Sequence, residues 1–359
     1  MGSVIGKNVK ISVFGQSHSK AIGVTIDGLP AGISIDMEEL KKFMKRRAPG
    51  QGAHTTTRKE GDQPEFLSGL VENTTCGAPL CAVIPNTNTR SSDYENLKDV
   101  PRPGHADYPA QMKFHGFQDV AGGGHFSGRL TAPVCLAGNI CMQALAKRGI
   151  QVAAHIYRIG HVQDRPVNPA DPIQADLQKV REKAFPVLED EKGEQMLRAI
   201  DQAKKDLDSL GGVIECVITG VPAGIGNPMF EGIENRIAAA AFGIPAVKGI
   251  EFGNGFGCVG LRGSQNNDSY EMREGEIVTR TNRHGGILGG ISTGMPIVFR
   301  VAMKPTSSIA MEQDSVSMRD KVNTKLVVHG RHDPCIVPRA VPCVEAIAAL
   351  TIYDMILEQ

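Results

Sequence analysis

Gly28-Leu29-Pro30-Ala31-Gly32-Ile33, set beside Gly220-Val221-Pro222-Ala223-Gly224-Ile225, shows how the chain is laid out. Each hexapeptide follows an alternating apolar run, residues 22–26 and 213–218, of the kind that forms a half-buried strand. Glycine and proline then break the run and turn the chain. After the first copy Asp36 is placed to cap a helix with Met37, Leu40, Phe43 and Met44 on one face, stopped by Ala48-Pro49-Gly50. After the second, Phe230, Ile233 and Ile237 mark a helical face. Expected strands at 9–14, 66–71 and 80–84 complete the first unit, and those at 247–252 and 297–302 the second. One matched hexapeptide would carry little. The matched order of elements predicts two pseudo-repeats, about 9–85 and 213–302, inside one domain spanning 1–359.

Two long helical patterns lie between the units. Residues 127–148 carry Leu130, Val134, Ala137, Cys141 and Leu145 at helical spacing among small side chains, which predicts a buried central helix. Residues 171–210 are highly charged, with Leu177, Val180, Met196, Leu197, Ile200 and Leu207 expected to face inward. An amphipathic helix over 344–357 is expected to close the chain.

The 359 residues carry 39 Lys and Arg against 39 Asp and Glu, so any anion site must be local and bulk nucleic-acid binding is not expected. Eight cysteines show no C-x-x-C pair, which suits reduced and mostly buried thiols. No apolar signal core opens the chain and no run reaches membrane-spanning length. A cytoplasmic protein without membrane partners is the expectation.

Chemistry concentrates in a few loops. Arg102-Pro103-Gly104-His105-Ala106-Asp107 puts a guanidinium, a chain reversal, an imidazole and a carboxylate within six residues. Arginine suits a phosphate or carboxylate, and histidine moves a proton near neutral pH. Alone, the hexapeptide reads equally well as a solvated turn. Gly330-Arg331-His332-Asp333-Pro334-Cys335 repeats the residue types before the last helix. Gly122-Gly123-Gly124-His125-Phe126-Ser127-Gly128-Arg129 is expected to open the central helix and offer backbone N–H groups to an anion. Arg129 would be costly to bury there without an anionic partner. A second glycine run, Gly285-Gly286-Ile287-Leu288-Gly289-Gly290-Ile291, follows Arg283-His284. Lys304-Pro305-Thr306-Ser307-Ser308 sets a cation beside three hydroxyls, which suits a phosphorylated cofactor tail.

Other readings have less support. Gly15-Gln16-Ser17-His18-Ser19 displays serine and histidine at a strand end, but no G-x-S-x-G elbow supports a hydrolase. Arg46 and Arg47 either answer the dipole of the helix they end or clamp an anionic ligand. P-loop and Rossmann glycine patterns are missing, and no H-x-x-x-H or paired cysteines support a metal site.

With Phe14-Gly15-Gln16-Ser17-His18 and Arg47-Ala48-Pro49-Gly50-Gln51 added, the joint order of these stretches resembles the chorismate synthase family, from Gly6-Lys7 to the final helix. The resemblance implies an α/β (α+β) fold, a β-α-β sandwich with a helical layer between sheets, assembled as a homotetramer. It implies a carbon–oxygen lyase of the shikimate pathway to aromatic amino acids. Phosphate would leave 5-enolpyruvylshikimate 3-phosphate by anti 1,4-elimination, giving chorismate, with reduced FMN required and no net redox change. By the same resemblance, His105 would be the acid for the leaving phosphate and His18 would keep the reduced flavin protonated. Asp333 would act with the flavin in removing the ring proton, and Ser17 and Ser127 would support hydrogen bonding. Arg47, Arg102, Arg129 and Arg331 would hold the substrate's anions. His125, Phe126, Ser127, Ala246, Gly289, the 304–308 segment and Arg331 would bind FMN, and Arg47 would contact NADPH as a candidate reductant.

Several positions depart from the family's commonest pattern: Gln16, Ser19, Ala53, His125, Phe126 and Pro245. Ala53 removes the expected partner of Arg47 toward NADPH, so the expectation is a synthase that relies on a separate source of reduced FMN. The rivals are a non-catalytic flavin- or phosphometabolite-binding homologue and an NADPH-dependent flavin reductase.

Overall fold

The alternating run near the start becomes the strand Lys10–Gly15, paired antiparallel with Ala21–Asp27. Ile22, Val24 and Ile26 lie on one face of the pleat and are fully buried. This is a computed structural model, and it describes residues 2–50, 61–87, 97–172, 174–328 and 332–359. The first sheet runs in the order Val4–Ile5, Lys10–Gly15, Ala21–Asp27, Leu80–Pro85, Glu65–Ser68. The second runs Val162–Gln163, Gln151–Ile159, Gly212–Thr219, Ile297–Met303, Val247–Phe252. Every neighbouring pair in both is antiparallel.

Helices fill the space between the sheets. Thr131–Ala146 packs on the first sheet, Val337–Ile356 on the second, and the two helices pack on each other. They come close at Gly138, where an added Cβ would overlap the Cα and Cβ of Ala346. Met37–Arg47 packs against both central helices, and Ile233–Ala241 against Val337–Ile356. The first of these is capped as its sequence demands, with Asp36 accepting from the backbone N–H groups of Glu38 at 2.9 Å and Glu39 at 3.0 Å. This is the layered α/β sandwich expected.

The two halves share one order of elements. Lys10–Gly15, Ala21–Asp27, helix Met37–Arg47, Glu65–Ser68, Leu80–Pro85 and helix Thr131–Ala146 make the first. Gln151–Ile159, Gly212–Thr219, helix Ile233–Ala241, Val247–Phe252, Ile297–Met303 and helix Val337–Ile356 make the second. In each sheet the fourth of these strands lies between the second and the third.

Some expected elements are redrawn. The charged stretch is two helices, Gln174–Glu182 and Asp190–Lys205, because Pro186 cannot continue a helix. Leu207 falls beyond the second, with φ of 60° and its side chain exposed. Phe230 precedes its helix and is exposed. The last helix begins at Val337, runs through Pro342 and is buried on nearly every side, so it is not amphipathic. The strand Gln151–Ile159 had no clear signature, since Val152-Ala153-Ala154-His155-Ile156 is buried on both faces and does not alternate.

Candidate active site

Pro103-Gly104 reverses the chain with Gly104 at φ 72°, and Asp107 opens the short helix Asp107–Phe114. The Asp107 carboxylate reaches back across the turn. Its Oδ2 accepts from the Arg102 backbone N–H at 3.0 Å and from Arg102 Nε at 2.7 Å. Its Oδ1 accepts from Arg102 Nη2 at 2.8 Å and lies 2.6 Å from His105 Nδ1. Burial alone would raise this carboxyl's pKa, but hydrogen bonds from Arg102 and His105 hold it far below the usual carboxylate range. Arg102 Nη1 also donates to Ser308 Oγ at 3.1 Å, and Lys304 Nζ donates to the Gly104 carbonyl at 2.7 Å. Burial, then the nearby Lys248, pushes the Lys304 ammonium below its ordinary pKa. The 304–308 segment is thereby seated on the Arg102–Asp107 loop.

The Gly15–Ser19 loop meets this cluster across the glycine run. Ser17 N donates to the Gly124 carbonyl at 3.0 Å. A Cβ on Gly122 would stand 2.7 Å from both Ser17 Oγ and His18 Nε2. One on Gly123 would stand 3.3 Å from His105 Nε2 and 3.7 Å from Arg102 Nη2. The run is therefore a stretch of bare backbone bordered by two histidines. All three glycines have positive φ, and the central α-helix starts only at Thr131. Gly122–Gly124 does not open that helix, which corrects the expectation of a helix N-terminus there. Ser127 instead caps the short turn Gly128–Leu130, its Oγ accepting from Arg129 N at 3.2 Å. Ser17 Oγ is buried and has no hydrogen-bond partner among the described residues.

His125 and Phe126 lie at the exposed edge of this run. His125 Nδ1 is 2.7 Å from the Gly15 carbonyl and its Nε2 is 2.8 Å from Ser3 Oγ, so the ring ties the N-terminal segment to the Gly15 turn. The Phe126 ring lies 6.3 Å from that of Phe114. Ser19 closes the loop locally, accepting from Gln16 N at 2.9 Å and donating to the Ala21 carbonyl at 2.7 Å.

A second cluster holds the other arginines. Asp62 takes Arg47 Nη1 at 2.6 Å on one oxygen and Arg129 Nη1 on the other. Arg47 also donates to Thr131 Oγ1 at 3.1 Å and to the Gly128 carbonyl at 2.9 Å. Arg129 Nε donates to Asn86 Oδ1 at 3.0 Å, and Asn86 Nδ2 donates to the Ser19 carbonyl at 2.8 Å. All three charged groups are buried. Burial would push Asp62 up, but the two guanidiniums hold it below its ordinary pKa, while Arg47 is raised by Asp62 against its own burial. Asp333 pairs with Arg339, whose Nε donates to the Arg47 carbonyl at 3.1 Å. Arg46 turns away to fully buried Glu345, at 2.6 Å, so of the adjacent pair only Arg47 joins this cluster.

Ala246 is next to the 304–308 segment, with φ of 75° and its carbonyl accepting from Lys304 N at 2.9 Å. Pro305 lines the same segment, and the Thr306 carbonyl accepts from Ser209 Oγ at 2.7 Å. Gly289 is in the turn of a small hairpin, Ile287–Leu288 with Ile291–Ser292, whose Gly290 carbonyl accepts from Ile233 N. It has open space where a side chain would stand, and it is not part of the His18–His105 cluster. Arg331 and Ala53 lie outside the described residues. Asp62, Asn86 and Arg339 gave no signal in the sequence, because no local motif marks them and each also bonds across a long stretch of chain, Asp62 to Arg129, Asn86 to Arg129 and Arg339 to the Arg47 carbonyl.

The arrangement brings five cations (Arg47, Arg102, Arg129, Lys304, Arg339) together with three carboxylates, Asp62, Asp107 and Asp333. The Gly15–Ser19 loop links the two clusters. Anion binding beside two imidazoles is the chemistry it can support. Among the described residues, no three His, Cys, Asp or Glu side chains converge as a metal site, and no helix is long and apolar enough to cross a membrane.

The family model described as chorismate synthase matches residues 9–357. A chorismate synthase of Lancefieldella parvula is 48% identical, covering 99% of this chain and 96% of that protein. One of Thermococcus kodakarensis is 46% identical, covering 99% of this chain and 97% of that protein. A solved structure described as the crystal structure of chorismate synthase superposes with a TM-score of 0.76 at 27% identity, covering 99% of this chain and 93% of that one.

Proposed function

The chain belongs to the chorismate synthase family and carries out its lyase reaction in aromatic amino-acid biosynthesis, and we propose that the His18–His105 cluster is where phosphate leaves 5-enolpyruvylshikimate 3-phosphate. One observation carries this placement: Ser17 and His18 line the glycine run at Gly122, and His105 and Arg102 line it at Gly123, so both imidazoles border one stretch of bare backbone. An elimination needs a proton delivered to the leaving group and another removed from carbon, by groups that do not quench each other. His105 is the acid toward the departing phosphate, with Arg102 and Lys304 offsetting its charge. Arg129 and Arg47 face the substrate's carboxylates from the second cluster, and Asp333 is the carboxylate on the side where the ring proton leaves. Ser127 orders the turn that carries Arg129.

The residues present fit reduced FMN. Ser17 Oγ and Thr306 Oγ1 are buried without partners among the described residues, and Gly122 presents bare backbone beside Ser17. Lys304, Pro305, Thr306, Ser307, Ser308 and Ala246 would hold its phosphate end, with His18 presenting a proton at its ring. Gly289, His125, Phe126 and Arg331 complete the set that the family pattern assigns to the flavin. When bound, reduced FMN supplies transient electron density to the substrate ring as the carbon–oxygen bond breaks.

Asp62, Thr131 and Gly128 hold the Arg47 guanidinium in place, and Ala53 removes its expected partner toward NADPH, which supports a synthase that draws reduced FMN from elsewhere and does not itself oxidise NADPH. Exposed Met229, Phe230, Phe256, Val259, Met272 and Ile277 support assembly into a homotetramer. Eight unpaired cysteines support a reducing, cytoplasmic setting. Replacing the proposed acid tests the placement. His105→Ala should lower turnover about 10²–10⁴-fold with flavin affinity unchanged. Wild-type turnover in that variant would remove His105 from the chemistry.

A further inference from the structure

The Nδ1 atom of His105 has two polar neighbours that cannot both be hydrogen-bond partners. Asp107 Oδ1 lies 2.6 Å away and Arg102 Nη2 3.0 Å away. A guanidinium N–H only donates, so it would bond to a bare Nδ1, whereas a carboxylate only accepts and requires Nδ1 to carry the proton. The Asp107 carboxyl is ionised, and its contact is the shorter. Arg102 Nη2 already has an acceptor in the same Oδ1, at 2.8 Å. The proton therefore belongs on Nδ1, and Nε2, the nitrogen nearest the glycine run, is left to exchange a proton with whatever occupies the site.

We propose that Asp107 is a positioning residue that fixes the tautomer of His105, so that proton transfer runs through Nε2 alone. This rests on the reading of His105 as the acid, and it adds a residue that touches neither substrate nor cofactor. The carboxylate stays ionised throughout and orients the ring, while Arg102 holds the carboxylate in place from three of its own N–H groups. A change at Asp107 would therefore act on the proton-transfer step through His105.

Two measurements test the proposal. Nitrogen-15 side-chain spectra of His105 in the full-length protein should show a protonated Nδ1 in the neutral ring, and Asp107→Asn should shift population toward a protonated Nε2. In turnover assays Asp107→Asn should lower kcat on the order of 10²-fold, with KM changed far less, and Asp107→Glu should recover part of the loss. A neutral wild-type ring protonated on Nε2, or wild-type kcat in Asp107→Asn, would overturn it. If Asp107→Asn does not fold, the wild-type spectrum still decides. Loss of turnover in the wild-type protein itself would instead count against the proposed function, leaving the ring spectrum to judge the tautomer.

Discussion

Asp62 shows how a single side chain can hold a site together without belonging to any motif. It is buried between Arg47 and Arg129, and its carboxylate is the charge that makes their burial tolerable. Asp62→Ala would leave two buried guanidiniums short of their counter-ion, costing about 3–5 kcal/mol by analogy with broken buried pairs. Urea denaturation of the variant should show that loss, and an unchanged midpoint would mean the arginines find other partners. The motif residues were legible because turn chemistry displays them: Pro103-Gly104 presents His105, and the strand end at Gly15 presents Ser17 and His18. Asp62 and Arg339 were not, since nothing local distinguishes them from solvated charges. His125, whose place in the motif assigns it to the flavin, has its ring bonded to Ser3 and Gly15 at the rim.

Among the elements, the contact between the two central helices leaves little room at Gly138. Gly138→Ala would gain about 1 kcal/mol of helix propensity but drive a methyl group into Ala346. Overpacking costs typically about 1–3 kcal/mol, so the variant should be less stable, read as a lower thermal midpoint. A midpoint at or above wild type would show that the helices can part. Strands and helices with one buried face were readable from their periodicity, as Met37–Arg47 was from Asp36 onward. Elements buried on both sides are not, since neither Gln151–Ile159 nor the start of Val337–Ile356 alternates between a buried and an exposed face. The glycine run misled for a different reason: left-handed backbone and a helix start draw on the same residue type. The shared element order leads us to propose a duplicated unit. Its matched parts begin at Lys10 and Gln151, and each includes the long helix that follows the sheet.

At the scale of the whole molecule, the second sheet carries a buried charge cluster of its own. His155 Nε2 lies 2.9 Å from Glu215 Oε2, and its Nδ1 3.6 Å from Asp164 Oδ2. Arg300 completes it from the next strand, at 2.8 Å from Glu215. Burial would lower the pKa of the imidazole, but the nearby Asp164 carboxylate and the hydrogen bond to Glu215 raise it above its ordinary value. A raised folded pKa contributes stability that is fully present below about pH 6.5 and is lost as pH rises through the folded value. The two carboxylates, both held low against their burial, contribute above their ordinary range and lose it in acid. The stability difference between wild type and His155→Gln should therefore shrink as pH rises above neutrality, and a difference constant from pH 6 to 9 would remove His155 from the linkage.

We propose that this arrangement eliminates phosphate using reduced flavin that it does not itself reduce. Anaerobic incubation of the full chain with 5-enolpyruvylshikimate 3-phosphate and dithionite-reduced FMN tests it directly, with phosphate release as the readout. Release with reduced FMN, and none with NADPH and oxidised FMN, is the predicted result. No release with reduced FMN, while flavin remains bound, would contradict it.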